Sequence, residues 1–246
     1  MKTDIPVFEE WPFKVPNIKG IVAKFKEFTE QMKKASSKEE ALKIWKKSAK
    51  YGDKIGDDIT HVQVLFSMYT QEPKYKKAMD KLNQGLPLVS AVGVEFNKAI
   101  CESKYRDYLE EKLGHHYFEI LEFSMKGFSE KIIEEAQKEN DLVMQYDSLI
   151  ASAQIPFRGG VYNLSQMGKF MQDLDRNTRK EASEAYYGHL ESIKDQIEDI
   201  YDQLVHVRDT MAKKLGYKNF VELGYLRLGR TDYDAKKVKG YREQIE

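Results

Sequence analysis

A row of regularly spaced apolar residues in the second half of the sequence constrains the fold more than any other feature. Successive members are separated by 4, 3, 4, 3, 4, 3, 4 and 4 positions. The row, here called the seam, consists of Tyr186, Leu190, Ile193, Ile197, Ile200, Leu204, Val207, Met211 and Leu215. Because residues three and four apart share one side of an α-helix, the seam predicts a single helix of about 40 residues that starts near Asp175. Gly216 follows the seam and is typical of a helix C-cap.

Helical spacing also dominates the part of the chain before the seam. Two overlapping capping boxes, Ser36 with Glu39 and Ser37 with Glu40, indicate one helix start, and Pro73 indicates another. The predicted helices cover 18–34, 36–69 with a disturbance at Gly52 and Gly56, 73 onward with a break or kink near Pro87, 105–113, 115–125 after Gly114, and 130–146. We therefore predict a mainly α fold, a helical array.

The helical spacing stops between residues 147 and 164. There the turn Arg158-Gly159-Gly160 lies between β-forming residues, which is typical of a hairpin. We predict one β-hairpin over 147–164, with an irregular interhelical loop as the alternative, and a short helix over 165–174. The chain then divides into an N-terminal helical region, 1–146, and a region of hairpin and long helix, 147–246.

The charge balance argues against nucleic acid as a partner. Lys and Arg number 40, as do Asp and Glu, so the net charge is zero, and the two signs are interleaved along the chain. A nucleic-acid-binding protein needs an excess of basic residues to displace counterions. Hydrophobic residues make up 41%, which is enough for a folded core.

Membrane and secretory functions are equally disfavoured. The most apolar stretch, 85–96, is shorter than the roughly 20 residues that a membrane span requires, and it contains Pro87. The N-terminus carries acidic residues and lacks the pattern of a secretory signal. Cys101 is the single cysteine, so no internal disulfide can form. We predict a cytoplasmic protein that binds neither membrane nor nucleic acid.

The residues themselves assign no active site. None of the five histidines belongs to an H-E-x-x-H motif or its reverse, and no glycine-rich phosphate loop occurs. The nearest approach to a metal site is Glu111, His115, Glu119 and Glu122, which we interpret as a charged helix surface interrupted by Gly114. His206, with Asp202 and Asp209 about one turn away, is interpreted as making helix ion pairs. We assign no catalytic and no metal-ligating residue, and substrate-binding residues stay unassigned.

The last predicted helix begins at Asp232 or Asp234 and places Val238, Tyr241 and Ile245 on one face. The sequence stops at Glu246 without a terminating glycine, proline or polar tail. We expect the chain to be the N-terminal part of a longer protein, with a fraying C-terminal helix as the alternative.

Three sequence blocks resemble the oligoendopeptidase F family of zinc metallopeptidases. They are IPFRGGVYNLSQM at 155–167, LDRNTRKEA at 174–182 and MAKKLGYKNFVEL at 211–223. The segments EEALKIW at 39–45 and 57–69 are similar to the N-terminal helical region of that family, though less specifically. The resemblance covers most of the chain.

The resemblance implies a thimet-oligopeptidase-like fold, in which an N-terminal helical part and a C-terminal catalytic part enclose a deep channel. It implies zinc held by two histidines of an H-E-x-x-H helix and a downstream glutamate. Because this chain lacks that motif, no catalytic residue of the family can be assigned to any of its positions.

Two functional hypotheses follow. In the first, the chain is the N-terminal channel wall of a zinc-dependent oligopeptidase that hydrolyses short peptides. Alone it is inactive, its partner is the missing C-terminal catalytic region, and the hairpin segment 150–162 either lies near substrate or only braces helices. In the second, the chain is a non-enzymatic interaction module whose seam, Tyr186 to Leu215, pairs with another protein or with a second copy of itself.

Overall fold

The computed structural model describes residues 8–245, without the side chain of Glu9, and confirms the mainly α fold. Short 3₁₀ turns occur at Phe8–Glu10 and Glu130–Ile132. The elements are α1 (Ile18–Lys33), α2 (Lys38–Met68), α3 (Pro73–Cys101), α4 (Arg106–Leu113), α5 (His115–Gly127), α6 (Ile133–Ala151), β1 (Ile155–Phe157), β2 (Gly160–Tyr162), α7 (Leu164–Met171), α8 (Arg176–Ser192), α9 (Lys194–Lys214), α10 (Phe220–Arg227) and α11 (Ala235–Glu243).

The predicted helix starts are confirmed by their capping bonds. The Ser37 hydroxyl accepts the amide of Glu40 at 3.1 Å, while the Glu40 carboxylate accepts the amide of Ser36 at 2.7 Å. The N-cap is Ser37, so the helix starts at the second predicted box, and the Glu40 carboxylate bonds the amide of Ser36 rather than that of Ser37. Pro73 occupies the first turn of α3, where its missing N–H costs nothing. Gly114, with a φ of 92°, separates α4 from α5.

Contacts group the described residues into two units. One contains the residues up to Glu130 together with those from Gly224 onward, and the other is Lys131–Leu223. The division after residue 146, which the sequence suggests, stays a prediction.

The first unit is built around α1 and α3. Its main core consists of residues from α1 to α5 with little or no exposure: Phe28, Met32, Ala35, Ala41, Ile44, Phe96, Ala99, Ile100, Leu109, Phe118 and Leu121. At Gly85 the two helices approach so closely that a Cβ atom would collide with the side chain of Ile18. Trp45 donates to the hydroxyl of Tyr117 at 2.7 Å, which joins α2 to α5 and satisfies an indole N–H in a largely apolar setting.

The structure contradicts the predicted disturbance of α2 and the predicted break in α3, while a kink near Pro87 stays a prediction. Helix α2 continues through Gly52 and Gly56, and α3 continues through Pro87. A proline inside a helix removes one hydrogen bond and crowds the carbonyl four residues earlier. Pro87 is buried, as are Leu82 and Gly85 before it, and this packing keeps the segment helical.

The prediction of one long helix under the seam was also wrong. The segment consists of α8 and α9, which meet at Ile193, whose φ and ψ are −111° and 8°. The Ser192 hydroxyl donates to the carbonyl of His189 at 2.6 Å and so competes with the helix ladder at this point. The three- and four-residue spacing of the seam continues across the junction, because one residue outside helical geometry does not alter the spacing in the sequence. The spacing alone therefore could not reveal the junction.

The second half of the seam is covered within the second unit. Ile200 and Val207 of α9 form a buried cluster with Leu142 of α6, and Leu149 and Leu204 pack against it. The seam is therefore used inside the chain, which removes the main reason for assigning it to a partner protein.

The hairpin is confirmed, but it is shorter than predicted. Helix α6 continues to Ala151, five residues beyond the expected end at 146, and the strands cover only 155–157 and 160–162. Leu149 lies in the α6–α9 cluster, so apolar packing extends the helix into a stretch whose composition favours strand.

None of the described helices combines the length and the hydropathy that crossing a membrane requires.

Candidate functional site

The hairpin is the element that the sequence singles out for a place near substrate. Strands β1 and β2 pair antiparallel, with Ile155 opposite Tyr162, Pro156 opposite Val161 and Phe157 opposite Gly160. The turn consists of Arg158 and Gly159, with φ of 43° and 81°. Two successive residues with positive φ are typical of a type I′ turn, whose twist matches that of the strands it joins.

The inward face of the hairpin packs on α7 and α8. Ile155, Phe157, Met167 and Ala182 are buried in one cluster, with Tyr162 and Phe170 packed against it. The ring of Tyr162 bends back over Gly160, where an added Cβ would lie only 2.6 Å from the tyrosine hydroxyl. Gly160 is thus required for close packing rather than for backbone freedom.

The turn is tied to α8 by an ion pair. Arg158 donates from Nη2 and Nε to one carboxylate oxygen of Glu181, at 2.9 and 3.3 Å. Its guanidinium also lies 5.5 Å from the ring centroid of Phe157. These contacts offset the strain of a positive φ at a non-glycine residue.

The helices under the hairpin begin with well-formed caps. Asn163 accepts the amide of Gln166 at 2.8 Å, and the Gln166 side chain accepts the amide of Asn163 at 2.9 Å. At the start of α8, the hydroxyl and the amide of Thr178 both donate to Asp175. These bonds hold the pKa of the Asp175 carboxyl below its usual range. Both helices under the hairpin are therefore fixed at their starts by side-chain caps.

The outward face of the hairpin carries Pro156 and Val161, and Val161 is 62% exposed. Because the pair nearest a two-residue turn exchanges both ladder bonds, the next pair, Pro156 and Val161, directs its backbone groups away from the partner strand. On the β1 side the donor is missing, since proline has no N–H. On the β2 side Val161 offers one N–H and one C=O to an extended chain.

The acidic and histidine residues that the sequence singled out are engaged with separate partners. Glu111 pairs with Lys112, His115 with Glu110, Glu119 with His116 and Glu122 with Arg106. His206 donates from Nδ1 to the carbonyl of Asp202 at 2.8 Å, and the same nitrogen lies 3.4 Å from the Asp202 carboxylate.

Within residues 8–245, no three side chains of His, Cys, Asp or Glu are placed to hold a metal ion. The residues present do not fit the zinc that the family resemblance implies, and we assign them no zinc ligand. Burial raises the pKa of the Cys101 thiol, which is the opposite of what a thiolate ligand or nucleophile requires.

Two features of the hairpin were not predicted from the sequence: the open edge at Val161 and the ion pair between Arg158 and Glu181. The open edge at Val161 follows from strand register, which the turn position could have supplied once the strand ends were known. The ion pair between Arg158 and Glu181 joins residues 23 positions apart and leaves no local signal.

Residues 8–128 match the model of the peptidase M3 N-terminal domain. Among curated protein sequences, none gave a significant match.

Three solved structures superpose on nearly the whole chain. A protein from Bacillus anthracis, provisionally named oligoendopeptidase F, has 37% identity and a TM-score of 0.93 over 96% of this chain and 44% of its own. PZ peptidase A, solved with an inhibitor, has 36% identity and a TM-score of 0.94 over 97% of this chain and 42% of its own. Another protein provisionally named oligoendopeptidase F has 35% identity and a TM-score of 0.94, with the same coverage. The chain spans less than half the length of these relatives.

The fold is that of the thimet-oligopeptidase-like peptidases, a helical array with one hairpin. The chain belongs to the oligoendopeptidase F family, and it contains the M3 N-terminal domain.

Proposed function

We propose that this chain is the N-terminal, channel-lining portion of a zinc-dependent oligopeptidase that hydrolyses short peptides, and that alone it does not catalyse. One observation supports this most directly: 96% of the chain matches an oligoendopeptidase F at 37% identity while no H-E-x-x-H motif occurs in it. Zinc and the water that zinc polarises would then belong to the catalytic region, which this sequence does not contain. The cytoplasmic location stays a prediction.

The contribution of this portion is to select and hold the peptide. In the proposed arrangement the open edge of β2 pairs with an extended peptide through the N–H and C=O of Val161. The packing of the hairpin on α7 and α8 favours such binding, because a strand already held in place loses less conformational entropy when the peptide docks. The exposed side chain of Val161 supplies apolar contact beside the backbone bonds.

The test uses two proteins. One is the 246-residue chain alone, supplied with zinc. The other is a chimera in which the chain replaces the aligned 44% of the Bacillus anthracis relative. Both are assayed with internally quenched peptides, with and without a chelator.

We expect no chelator-sensitive cleavage by the chain alone and clear chelator-sensitive cleavage by the chimera. Replacing the glutamate of the H-E-x-x-H motif expected in the relative's own part by glutamine serves as the inactive control. Cleavage by the chain alone, or a folded and zinc-loaded chimera without activity, contradicts the proposal.

A further inference from the structure

Lys169 of α7 is a cation held in a defined place beside the hairpin. Its ammonium lies 4.8 Å from the ring centroid of Tyr162 and 4.6 Å from that of Phe170. The two rings contact each other edge to face, with their centroids 4.9 Å apart. Because both aromatic faces attract the ammonium, the lysine side chain is oriented in advance of any ligand.

The charge of Lys169 is not used within the described part of the chain. The residue is exposed, and no carboxylate among the described side chains forms an ion pair with its ammonium. Asp173, four positions later, instead accepts the amide of Asp175 at 2.9 Å. In the turn, by contrast, Arg158 is engaged by Glu181 at 2.9 Å. Lys169 therefore offers a positive charge to a ligand.

Helix α7 lies on the side of the hairpin where the sheet is open. Residues of β2 contact α7, whereas residues of β1 contact α8. Since β1 occupies one edge of β2, a peptide that extends the sheet pairs with the other edge, on the α7 side. The ring contact with Tyr162 of β2 places the ammonium of Lys169 on this side as well.

Strand register decides which side chains of such a peptide face α7. The peptide residue that exchanges backbone bonds with Val161 places its own side chain on the outward face of the hairpin, as Val161 does. Because side chains alternate along a strand, its two neighbours face inward, opposite Gly160 and Tyr162. Gly160 has no side chain, and the ring of Tyr162 is one of the two that Lys169 contacts. A peptide side chain at these positions therefore comes close to the ammonium.

We propose that Lys169 selects peptides with an acidic side chain next to the residue that pairs with Val161. The proposal rests on the proposed function, and it narrows the substrate class from short peptides to short peptides that carry Asp or Glu at this place. The ion pair forms at an exposed position, where such pairs are weak, so we expect a preference of about 2- to 5-fold.

The experiment uses the chimera described above and internally quenched peptides in which one glutamate is moved along the sequence. At each position, matched peptides carry glutamine or lysine instead. We expect glutamate to lower KM by about 2- to 5-fold relative to glutamine at one position, or at two positions separated by one residue. Lysine at the same place should raise KM, because like charges repel.

Three variants assign the preference to one side chain. Lys169→Met keeps an apolar side chain over the two rings and removes the charge, so its KM should be equal for the glutamate and glutamine peptides. Lys169→Glu should reverse the preference, in favour of the lysine peptide. As the matched control, Lys194→Met removes an exposed charge at the start of α9 and should keep the parent preference. Thermal denaturation checks that each variant is folded.

The outcomes separate this proposal from the proposed function. An active chimera without a charge preference, or a preference that Lys169→Met leaves intact, overturns the role of Lys169 and leaves the function standing. If the chimera is inactive or does not fold, NMR titration of the 246-residue chain with the glutamate and glutamine peptides decides the role of Lys169. We expect the glutamate peptide to bind at least about twofold more tightly and to shift the amide of Val161. Equal or undetectable binding overturns the proposal.

Discussion

Arg208 of α9 donates from its Nε to the carboxylate of Glu139 of α6 at 2.7 Å, and the Glu139 side chain is only 6% exposed. A charged donor offsets part of the free energy that removing a carboxylate from water costs. The same two helices carry a second ion pair, Lys214 with Glu135, at 2.6 Å. Charge and the apolar cluster around Leu142 thus hold α6 against α9 together.

Removal of the Arg208 side chain is expected to destabilise the chain strongly. Arg208→Ala leaves a buried carboxylate without its guanidinium, and the expected loss is about 2–4 kcal/mol in the free energy of unfolding. Urea denaturation followed by circular dichroism measures it. The control is Lys213→Ala, which breaks an exposed pair with Asp209 and should cost less than about 1 kcal/mol. Equal losses in the free energy of unfolding would show that the buried ion pair stabilises the chain no more than the exposed pair does.

The hairpin is expected to tolerate no side chain at position 160. Gly160→Ala forces the Tyr162 ring off Phe170, whose centroid lies 4.9 Å away, and should cost about 1–3 kcal/mol. Gly168 in α7 has open space around its Cβ position, so Gly168→Ala should instead stabilise by about 0.5–1 kcal/mol. Thermal denaturation of both variants checks the sign. A stabilising Gly160→Ala would contradict the packing described for Tyr162.

The edge of β2 is expected to matter for the KM of the chimera. Val161→Pro removes the one edge N–H without removing a ladder bond, since that N–H points away from β1. Loss of one peptide hydrogen bond, about 0.5–1.5 kcal/mol, predicts a rise in KM of about 2- to 12-fold. Val161→Ile keeps both the N–H and a branched apolar side chain, and its KM should match the parent. A Val161→Pro chimera with normal KM and normal stability would assign the hairpin a purely bracing role.

A pH-dependent contact joins α4 to α5. The hydrogen bond between Glu110 and His115 raises the pKa of the imidazole above 6.5 and lowers that of the carboxyl below 4.5. The histidine contribution is full below pH 6.5 and is lost as pH rises through the raised pKa. The carboxyl contribution is present above pH 4.5 and is lost as pH falls through the lowered pKa. The contact therefore stabilises most between these two values.

His115→Gln should accordingly lower the Tm slightly at pH 5.5 and leave it nearly unchanged at pH 8.5. The effect is small because the His115 side chain is 77% exposed. Scanning calorimetry at the two pH values measures it, with His116→Gln as the neighbouring control. A Tm difference that is the same at both pH values would exclude this contact as its source.

Much of the local structure could be predicted because it depends on residues close in sequence. Ser37 starts α2 through its side-chain cap, and Pro73 and Gly114 start or separate helices through their own backbone geometry. The turn at Arg158 and Gly159 needs only its own positive φ values, so the hairpin was recognisable too. Its strand ends were not, because the packing of Leu149 on α9 extends α6 into the predicted strand.

The sequence by itself determined the helical class, the position of the turn and membership in the oligoendopeptidase F family. Those depend on residue spacing, helix caps and short sequence blocks, all of which involve residues that are close together in the sequence. Only the tertiary structure decided that α3 continues through Pro87 and that the seam is divided between two helices at Ile193. It also decided that α6 covers the second half of the seam. Each of these depends on burial and on contacts between residues distant in sequence, whose free energy outweighs local preference.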